Sequence, residues 1–557
     1  MKCIFIILLL IIIIIITLLF FSIILQNRHE NKVDKFDIID NIDLENKIFD
    51  YVIVGGGITG TYLAYSLKKK FPSKSIILLE VNNFVGGRLS SLDVNLPDNI
   101  NLEYGGMRCF KEIHPKLIKL LEELNISTIK VPYKEHNNIY NLRGNIVRAK
   151  NLFPDSNLTY FVKENEMEMH IFKEIDKILK NKLFKYINKQ NILDYNSRLE
   201  ISKSEDLSKL TFNSLILNGK NAFSIENWNR YLDIFGYNSL YNREESLLSG
   251  CVENYSLLSE HQYFIKGGTQ SIVKNLIKNF KLLDNFSEKI FANSVILNTK
   301  LFKIDKNSNV VECHILNTKN HKNTIIKCHK LYLCTPLSEY KNILQTYSKC
   351  FLREKNDSFY VKNCKELFDI IDDNLDTYSL SKIFLYYEKN WWSSIGINRG
   401  RNTTSDKLNQ VWFYDDNHIM IYSSLSDADY WNSSFPYTTQ KEMLNCNNNN
   451  TNDNTTNTSI NNLNKLIQEK LLVMFKDFNL DIPLANKIGW KYWKEAYTQW
   501  SNIKTYNSNY KNIDQLKQKL RYPFENITYI NNDTSLNQGW MEGSLEEVDD
   551  VLLQEYN

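Results

Sequence analysis

Asp50–Arg88 reads DYVIVGGGITGTYLAYSLKKKFPSKSIILLEVNNFVGGR, and the order of its elements decides the fold. An apolar run of strand length, Tyr51–Val54, breaks into Gly55-Gly56-Gly57-Ile58-Thr59-Gly60. A helical stretch follows to Lys70, and a second apolar run, Ile76–Leu79, ends on Glu80. A lone GxGxxG is a common glycine-rich turn. Here it follows a strand, opens a helix and meets an acid about 20 residues on, which is the setting of a dinucleotide-binding turn. Gly55 permits the tight turn, Gly57 lets the backbone approach a pyrophosphate, and Gly60 lets helix and strand pack closely. The helix N-terminus offers N–H donors and a positive dipole end to phosphates. Glu80 can accept from a ribose hydroxyl.

The 557 residues are enough for two or three domains with sizeable cores. The net charge is +3 with no basic block, so nothing argues for a nucleic-acid partner. Nine cysteines, an odd number without CxxC spacing, read as free thiols rather than a disulfide framework, and no metal site is expected. Ile4–Leu25 is almost wholly apolar and about the length needed to cross a ~30 Å hydrocarbon core. It passes into Gln26-Asn27-Arg28 without an A-x-A-like site, which favours an uncleaved single-pass membrane anchor; a cleaved leader would instead give a secreted protein. Lys2 competes with Arg28, Lys32 and Lys35, leaving the orientation open.

Further along, Asn151 to about Ser259 mixes charged and apolar residues with few Gly or Pro and predicts a mostly helical insertion. Ser294–Ile304 and Val310–Leu316 predict paired strands, Lys330–Thr335 a buried strand, and Lys382–Tyr387 with Gln410–Ser424 a second strand-rich region. Cys446–Asn464, CNNNNTNDNTTNTSINNLN, predicts a disordered low-complexity loop. Leu545, Val548 and Leu552 share one face of a final helix.

In this order the pieces resemble the flavin amine oxidase family and, within it, the L-amino-acid oxidases. The motifs that carry the resemblance are the GxGxxG turn, Glu80 with Gly86-Gly87-Arg88, and Tyr104-Gly105-Gly106-Met107-Arg108. Tyr263–Gly268, Lys382-Ile383-Phe384-Leu385 before Trp391-Trp392, and Gly539-Trp540-Met541-Glu542-Gly543 complete the set. Together with the apolar leader, which adds one N-terminal transmembrane helix in front, the resemblance implies an α/β fold: a Rossmann-type FAD-binding domain with a mixed-sheet substrate domain and a helical insertion. It divides the chain into an anchor or uncleaved signal (1–27), a linker (28–48), and an FAD-binding domain from 49–88, 262–345 and 520–557. The substrate-binding domain takes 89–150 and 375–519, the helical subdomain 151–261, and the low-complexity loop 446–464.

Residue roles follow from the same resemblance. Non-covalent FAD is expected, because no Cys lies near Tyr497–Ser501 where some amine oxidases attach the flavin. Gly87 lets a loop cross the pyrophosphate and Arg88 supplies a cation there. Gly106 and Met107 run past the flavin ring, the Leu301 backbone holds adenine, and Asp533 contacts the ribityl chain. Met541 opens a helix whose positive end faces the flavin pyrimidine edge. Asn82 stands where relatives often carry a basic residue, and Asn531-Asn532 replaces two small residues.

For substrate, Arg108 resembles the arginine that clamps an α-carboxylate, since a planar guanidinium pairs bidentately with it. Tyr414 resembles the tyrosine sharing that carboxylate, with Trp412 as its same-face neighbour. Trp540 and Trp500 would wall the substrate, the Gly539 carbonyl would accept from its amine, and Lys382 would hold a water near flavin N5 as the catalytic lysine. His114 and His261 receive no role. The implied reaction is hydride transfer from the α carbon of an L-amino acid to flavin N5, giving a keto acid, ammonia and H2O2. Two other readings stay open: a monoamine or polyamine oxidase, and a flavin-binding membrane protein without turnover. A homodimer is also compatible with the sequence.

Overall fold

The computed structural model describes residues 44–556 apart from 95, 132–134, 153–158, 167–169, 188–192, 219–221, 237–243, 259–260, 284–293, 308–309, 352–357, 435–442, 447–453 and 504–509. The apolar leader Ile4–Leu25 and residues 28–43 of the linker lie outside the described residues. Among the described residues no helix is long and apolar enough to cross a membrane.

The glycine-rich stretch builds the centre of the first sheet. Strands Ile48–Val54 and Ile76–Leu79 run parallel, with Val52 opposite Ile77 and Val54 opposite Leu79. Every residue of Ile76–Leu79 is buried, as expected of a parallel strand covered on both faces. The seven-stranded sheet runs Ser294–Ile296, Ile76–Leu79, Ile48–Val54, Asn323–Leu333, Val310–Asn317, Thr299–Asn307, with Ile527–Tyr529 also pairing on Asn323–Leu333. Its two members Val310–Asn317 and Thr299–Asn307 are antiparallel, so the sheet is mixed. Helix Ile58–Lys70 packs on one face with helices Gln270–Leu282 and Met541–Tyr556. Their shared core includes Leu63, Leu67, Ile272, Leu276, Leu545 and Val548.

A second, eight-stranded sheet carries Lys487–Trp500, Leu375–Tyr386 and His418–Ser424 side by side. Its register sets Lys382 opposite Tyr422 on one neighbour and Lys491 on the other. Between strand Asn145–Arg148 of the second sheet and strand Ser294–Ile296 of the first, the chain forms helices that include Ile171–Leu183, Tyr195–Lys203, Ile225–Phe235 and Leu247–Leu258.

The expected low-complexity loop is corrected in part. Residues 447–453 lie outside the described residues, but Asn454–Met474 is a helix. Leu463, Ile467 and Leu471 recur at helical spacing and are buried against the second sheet. Asn464 is buried too, exchanging hydrogen bonds with the Ala485 backbone at 2.8 and 2.9 Å. Apolar residues at the right period outweigh the asparagine-rich composition.

The C-terminal helix is pinned from two sides by buried charges. Arg198 grips Glu546 through both carboxylate oxygens at 2.6 and 2.8 Å. Glu547 pairs with Lys517 at 2.6 Å and with Arg521 at 2.7 Å. All five side chains are at most 3% exposed. Such pairs are costly to bury and costlier to break one partner at a time, so they fasten this helix to Arg198 on one side and to Lys517 and Arg521 on the other.

Candidate active site

The sheet-to-helix turn is tightened by contacts that only glycine permits. A Cβ on Gly55, at φ +115°, would stand 2.4 Å from the Cys334 carbonyl oxygen, and one on Gly60 would stand 2.0 Å from that of Gly55. Gly57 differs: a Cβ there meets nothing closer than the Gly86 oxygen at 3.9 Å. The room above Gly57 belongs to a cavity of about 630 Å³ between the two sheets' ends. Gly57 caps helix Ile58–Lys70 without a side-chain hydrogen bond, so the first N–H groups of the helix have no side-chain cap.

Glu80 lines the same cavity and is held by its neighbours. Its Oε2 accepts from Gly56 N at 2.7 Å, and its Oε1 from Asn82 N at 2.9 Å and Asn82 Nδ2 at 2.7 Å. Burial nevertheless pushes its carboxyl pKa up. Asn82, in the place of a basic residue, orients Glu80 instead of adding charge. Gly87, Gly106, Met107, Leu301 and Met541 also line the cavity, with Leu301 beside an irregularity in its strand's register.

These features fit FAD. Glycine backbone opens onto space, an uncapped helix start meets it, and the buried Thr335 hydroxyl on its wall has no hydrogen-bond partner among the described residues. Gly55, Gly57, Glu80, Gly87 and Leu301 would hold the nucleotide part, while Gly106, Met107 and Met541 would border the ring.

Arg88 and Asp533 depart from expectation. Arg88 lines the cavity, but its Nη1 donates to Asp533 Oδ1 at 2.7 Å and to the Ala496 carbonyl at 3.2 Å, and its Nη2 donates to Asn531 Oδ1 at 3.0 Å. Asp533 Oδ2 accepts from Leu337 N at 3.0 Å. Asp533 is 1% exposed and does not line the cavity, although Asn531 and Asn532 beside it do. The pair is a strut that ties the Gly86-Gly87 loop to the segment before the last helix; Asn531 and Asn532 form the cavity wall instead.

Asn532 also shapes that segment. Its Nδ2 donates to the Trp540 carbonyl at 2.6 Å and its Oδ1 accepts from Gly539 N at 2.7 Å. Gly539, at φ +79°, and Trp540 thereby face the cavity. Behind Trp540 stands His114, ring centroids 5.3 Å apart, whose pKa is held down to about 3 by burial and the Arg198 charge. A buried imidazole there supports the indole, and a pKa held that low makes it a poor proton acceptor.

The substrate-side residues are only partly those expected. Arg108 lines the cavity; its guanidinium lies 5.1 Å over the Trp412 ring and Nη1 donates to Gln262 Oε1 at 2.8 Å. Lys382 lines it too, donating to the Glu103 carbonyl at 2.9 Å and the Gly105 carbonyl at 2.5 Å. Burial lowers the Lys382 pKa, with the Arg108 charge adding to that, and burial raises the Glu103 carboxyl. Tyr414 is not on the cavity: it stacks on Phe264, and its hydroxyl meets the sulfurs of Met107 and Met420 at 3.5 and 3.7 Å. Tyr422, cross-strand from Lys382, lines the cavity instead. Trp500 is likewise buried away from it, Nε1 donating to the Ser535 carbonyl at 3.1 Å. Tyr497, stacked on Tyr378 with centroids 5.1 Å apart, takes the wall beside Gly539. Sequence reasoning also passed over Glu253, Gln499 and Trp493, which line the cavity.

The family of flavin containing amine oxidoreductases matches this chain over residues 58–547, and the chain belongs to that family. Uncharacterized protein R188 of Acanthamoeba polyphaga mimivirus is 24% identical over 541 residues, 91% of this chain and 94% of the relative. Achacin of Lissachatina fulica is 46% identical over 79 residues, 14% of each chain. Among solved structures, putrescine oxidase bound to putrescine superposes with a TM-score of 0.59 at 15% identity, covering 91% of this chain and 99% of that one, a likeness of fold. The protein is an FAD-dependent amine or amino-acid oxidoreductase. Among the described residues no group of acids, histidines and cysteines is arranged to hold a metal, and the seven described cysteines are free and buried.

The two glycines separate binding from folding. Gly57→Val is expected to unfold at the temperature of flavin-stripped wild type yet carry no FAD after purification, while Gly60→Ala is expected to lose thermal stability. Absorbance of heat-released flavin and thermal unfolding check both; stoichiometric FAD in Gly57→Val contradicts the assignment of the turn.

Proposed function

We propose that the chain oxidises L-amino acids to keto acids, with ammonia and H2O2 as the other products. Arg108 carries this reading. It sits on the cavity wall, is only 6% exposed, and is oriented by the Trp412 face and the Gln262 amide. A desolvated guanidinium on the cavity wall is suited to a planar carboxylate, whereas a simple amine offers it nothing to pair with.

Bound FAD supplies the two-electron acceptor and its reoxidation by O2. The protein's share is orientation and electrostatics. Arg108 would fix the carboxylate, and Trp540 with Tyr497 would confine the rest of the substrate between apolar faces. The Gly539 carbonyl can accept from the amino group, and helix Met541–Tyr556 presents its positive end to the cavity. Lys382 would hold positive charge beside the Gly105-Gly106 segment, where O2 reduction develops negative charge.

Arg108→Ala is expected to lower kcat/KM for amino acids by about 30-fold or more, the loss of one partner of a desolvated charge pair being about 2–5 kcal/mol. Turnover of the matching decarboxylated amines should change far less; equal losses on both would favour an amine oxidase. Lys382→Met should slow reoxidation by O2 on the order of 100-fold while slowing reduction by substrate much less. Stopped-flow measurement of the two half-reactions separates them, and an unchanged reoxidation rate removes Lys382 from oxygen chemistry.

A further inference from the structure

A carboxyl group buried beside Lys382 has no part in the chemistry above. Lys382 is 4% exposed, and its Nζ donates to the backbone carbonyls of Glu103 and Gly105. Those carbonyls take two of the protons an ammonium carries but bring no full charge to meet its own. The Glu103 side chain is 3% exposed and, unlike Tyr104, Gly105 and Gly106, does not line the cavity.

This carboxyl is held on both oxygens. Oε1 accepts from Thr269 N at 2.9 Å, and Oε2 accepts from Ser91 Oγ at 2.8 Å and Thr269 Oγ1 at 2.7 Å. Donors on every side suit the ionised form. Thr269 is fully buried, and its Oγ1 also lies 3.0 Å from the Gly106 carbonyl. A hydroxyl has one proton, so it donates either to the carboxylate or to that carbonyl. Glu103 is therefore tied to the segment bordering the flavin ring at two points, Gly106 through Thr269 and Gly105 through Lys382.

The charges that face the pair can be named element by element. Burial disfavours the Lys382 ammonium, the Glu103 charge favours it, and the Arg108 charge disfavours it again. Tyr422 and Lys491 stand opposite Lys382 on its two neighbouring strands, the Lys382 Nζ lying 5.3 Å from the Tyr422 ring centroid. Lys491 also lines the cavity, and burial pulls its pKa down. On the carboxyl side, burial and then the Glu103 charge push the Tyr414 hydroxyl up. Among these groups Glu103 is the one acid.

We propose that Glu103 is the counter-charge of Lys382: a positioning residue that keeps the amine charged on the cavity wall and so sets the pH range over which the reduced enzyme reacts with O2. This rests on the oxygen role given to Lys382 above. An ammonium is lost as pH rises through its pKa, and a neighbouring carboxylate raises that pKa. Removing the carboxylate should therefore bring the loss to lower pH.

Reoxidation of the flavin-loaded protein by O2 is expected to slow on the alkaline side in wild type. Glu103→Gln should move that fall to lower pH by about one unit or more. The amide suits the site, because the hydroxyls of Ser91 and Thr269 can accept as well as donate. Glu103→Asp, which keeps the charge, should lie nearer wild type than Glu103→Gln. In a Lys382→Met background, adding Glu103→Gln should change the profile no further. A second readout needs no turnover. With carbon-13 at lysine Cε in the oxidised, flavin-loaded protein, the resonance missing from Lys382→Met reports Lys382, and Glu103→Gln should shift its titration to lower pH. A Lys382 titration that Glu103→Gln leaves in place overturns the proposal. So does an unmoved reoxidation profile when Lys382→Met reoxidises slowly. If Lys382→Met reoxidises at the wild-type rate while the resonance still shifts, the charge pairing stands and the oxygen role given to Lys382 fails.

Discussion

Gly60 lies against the Gly55 carbonyl with no room for a side chain, and Gly55 in turn lies against the Cys334 carbonyl just past the neighbouring strand. Those contacts lock strand, turn and helix into one geometry. They aim the N-terminus of helix Ile58–Lys70 into the cavity and bring the Gly56 N–H to Glu80. The loop at Gly86 then docks on the turn, its N–H donating to the Gly56 carbonyl at 2.9 Å. Any side chain added at this contact would have to move backbone, and the nucleotide wall would move with it.

The opposite wall depends on the other end of the chain. Helix Met541–Tyr556 is held by the Arg198–Glu546 pair from the helical region and by Glu547 with Lys517 and Arg521. Its start is fixed by Asn532, which bonds both Trp540 and Gly539. The Arg88–Asp533 pair ties this segment to the glycine loops. Two helix N-termini, one from each end of the fold, therefore border the same cavity, the arrangement expected where negative charge is bound and developed. The second sheet closes the space, bringing Lys382, Tyr422 and Tyr497 to the face that looks toward it.

The parts legible in the sequence are those set by local constraint. The glycine turn, Glu80, Leu301, Trp540 and Met541 occupy the cavity wall because a turn or a helix start fixes each one within a few residues. What failed needed long-range register. Strand Gln410–Phe413 ends before Tyr414, and the strand that actually adjoins Lys382 is His418–Ser424, which supplies Tyr422. A register shift between Tyr378 and Leu380 decides which aromatic of Tyr497 and Trp500 faces the cavity, and nothing in YTQW announces it. The Arg88–Asp533 pair was not legible, because only the fold brings the two residues together. Glu253 was hidden in a helical stretch whose pattern reads as ordinary amphipathic packing. The alternating face of Lys487–Trp500 did carry a usable signal, since Tyr497 and Gln499 lie two residues apart on one face.

The role proposed for Arg108 makes the cavity a site for amino acids and not for amines in general. Anaerobic mixing of the flavin-loaded protein with the L-amino acids, their D-enantiomers and their decarboxylated amines tests it directly. Loss of the oxidised flavin absorbance with L-amino acids, and little with the other two sets, is the predicted result. Bleaching by the amines as readily as by the amino acids, or by none of the three, would contradict it.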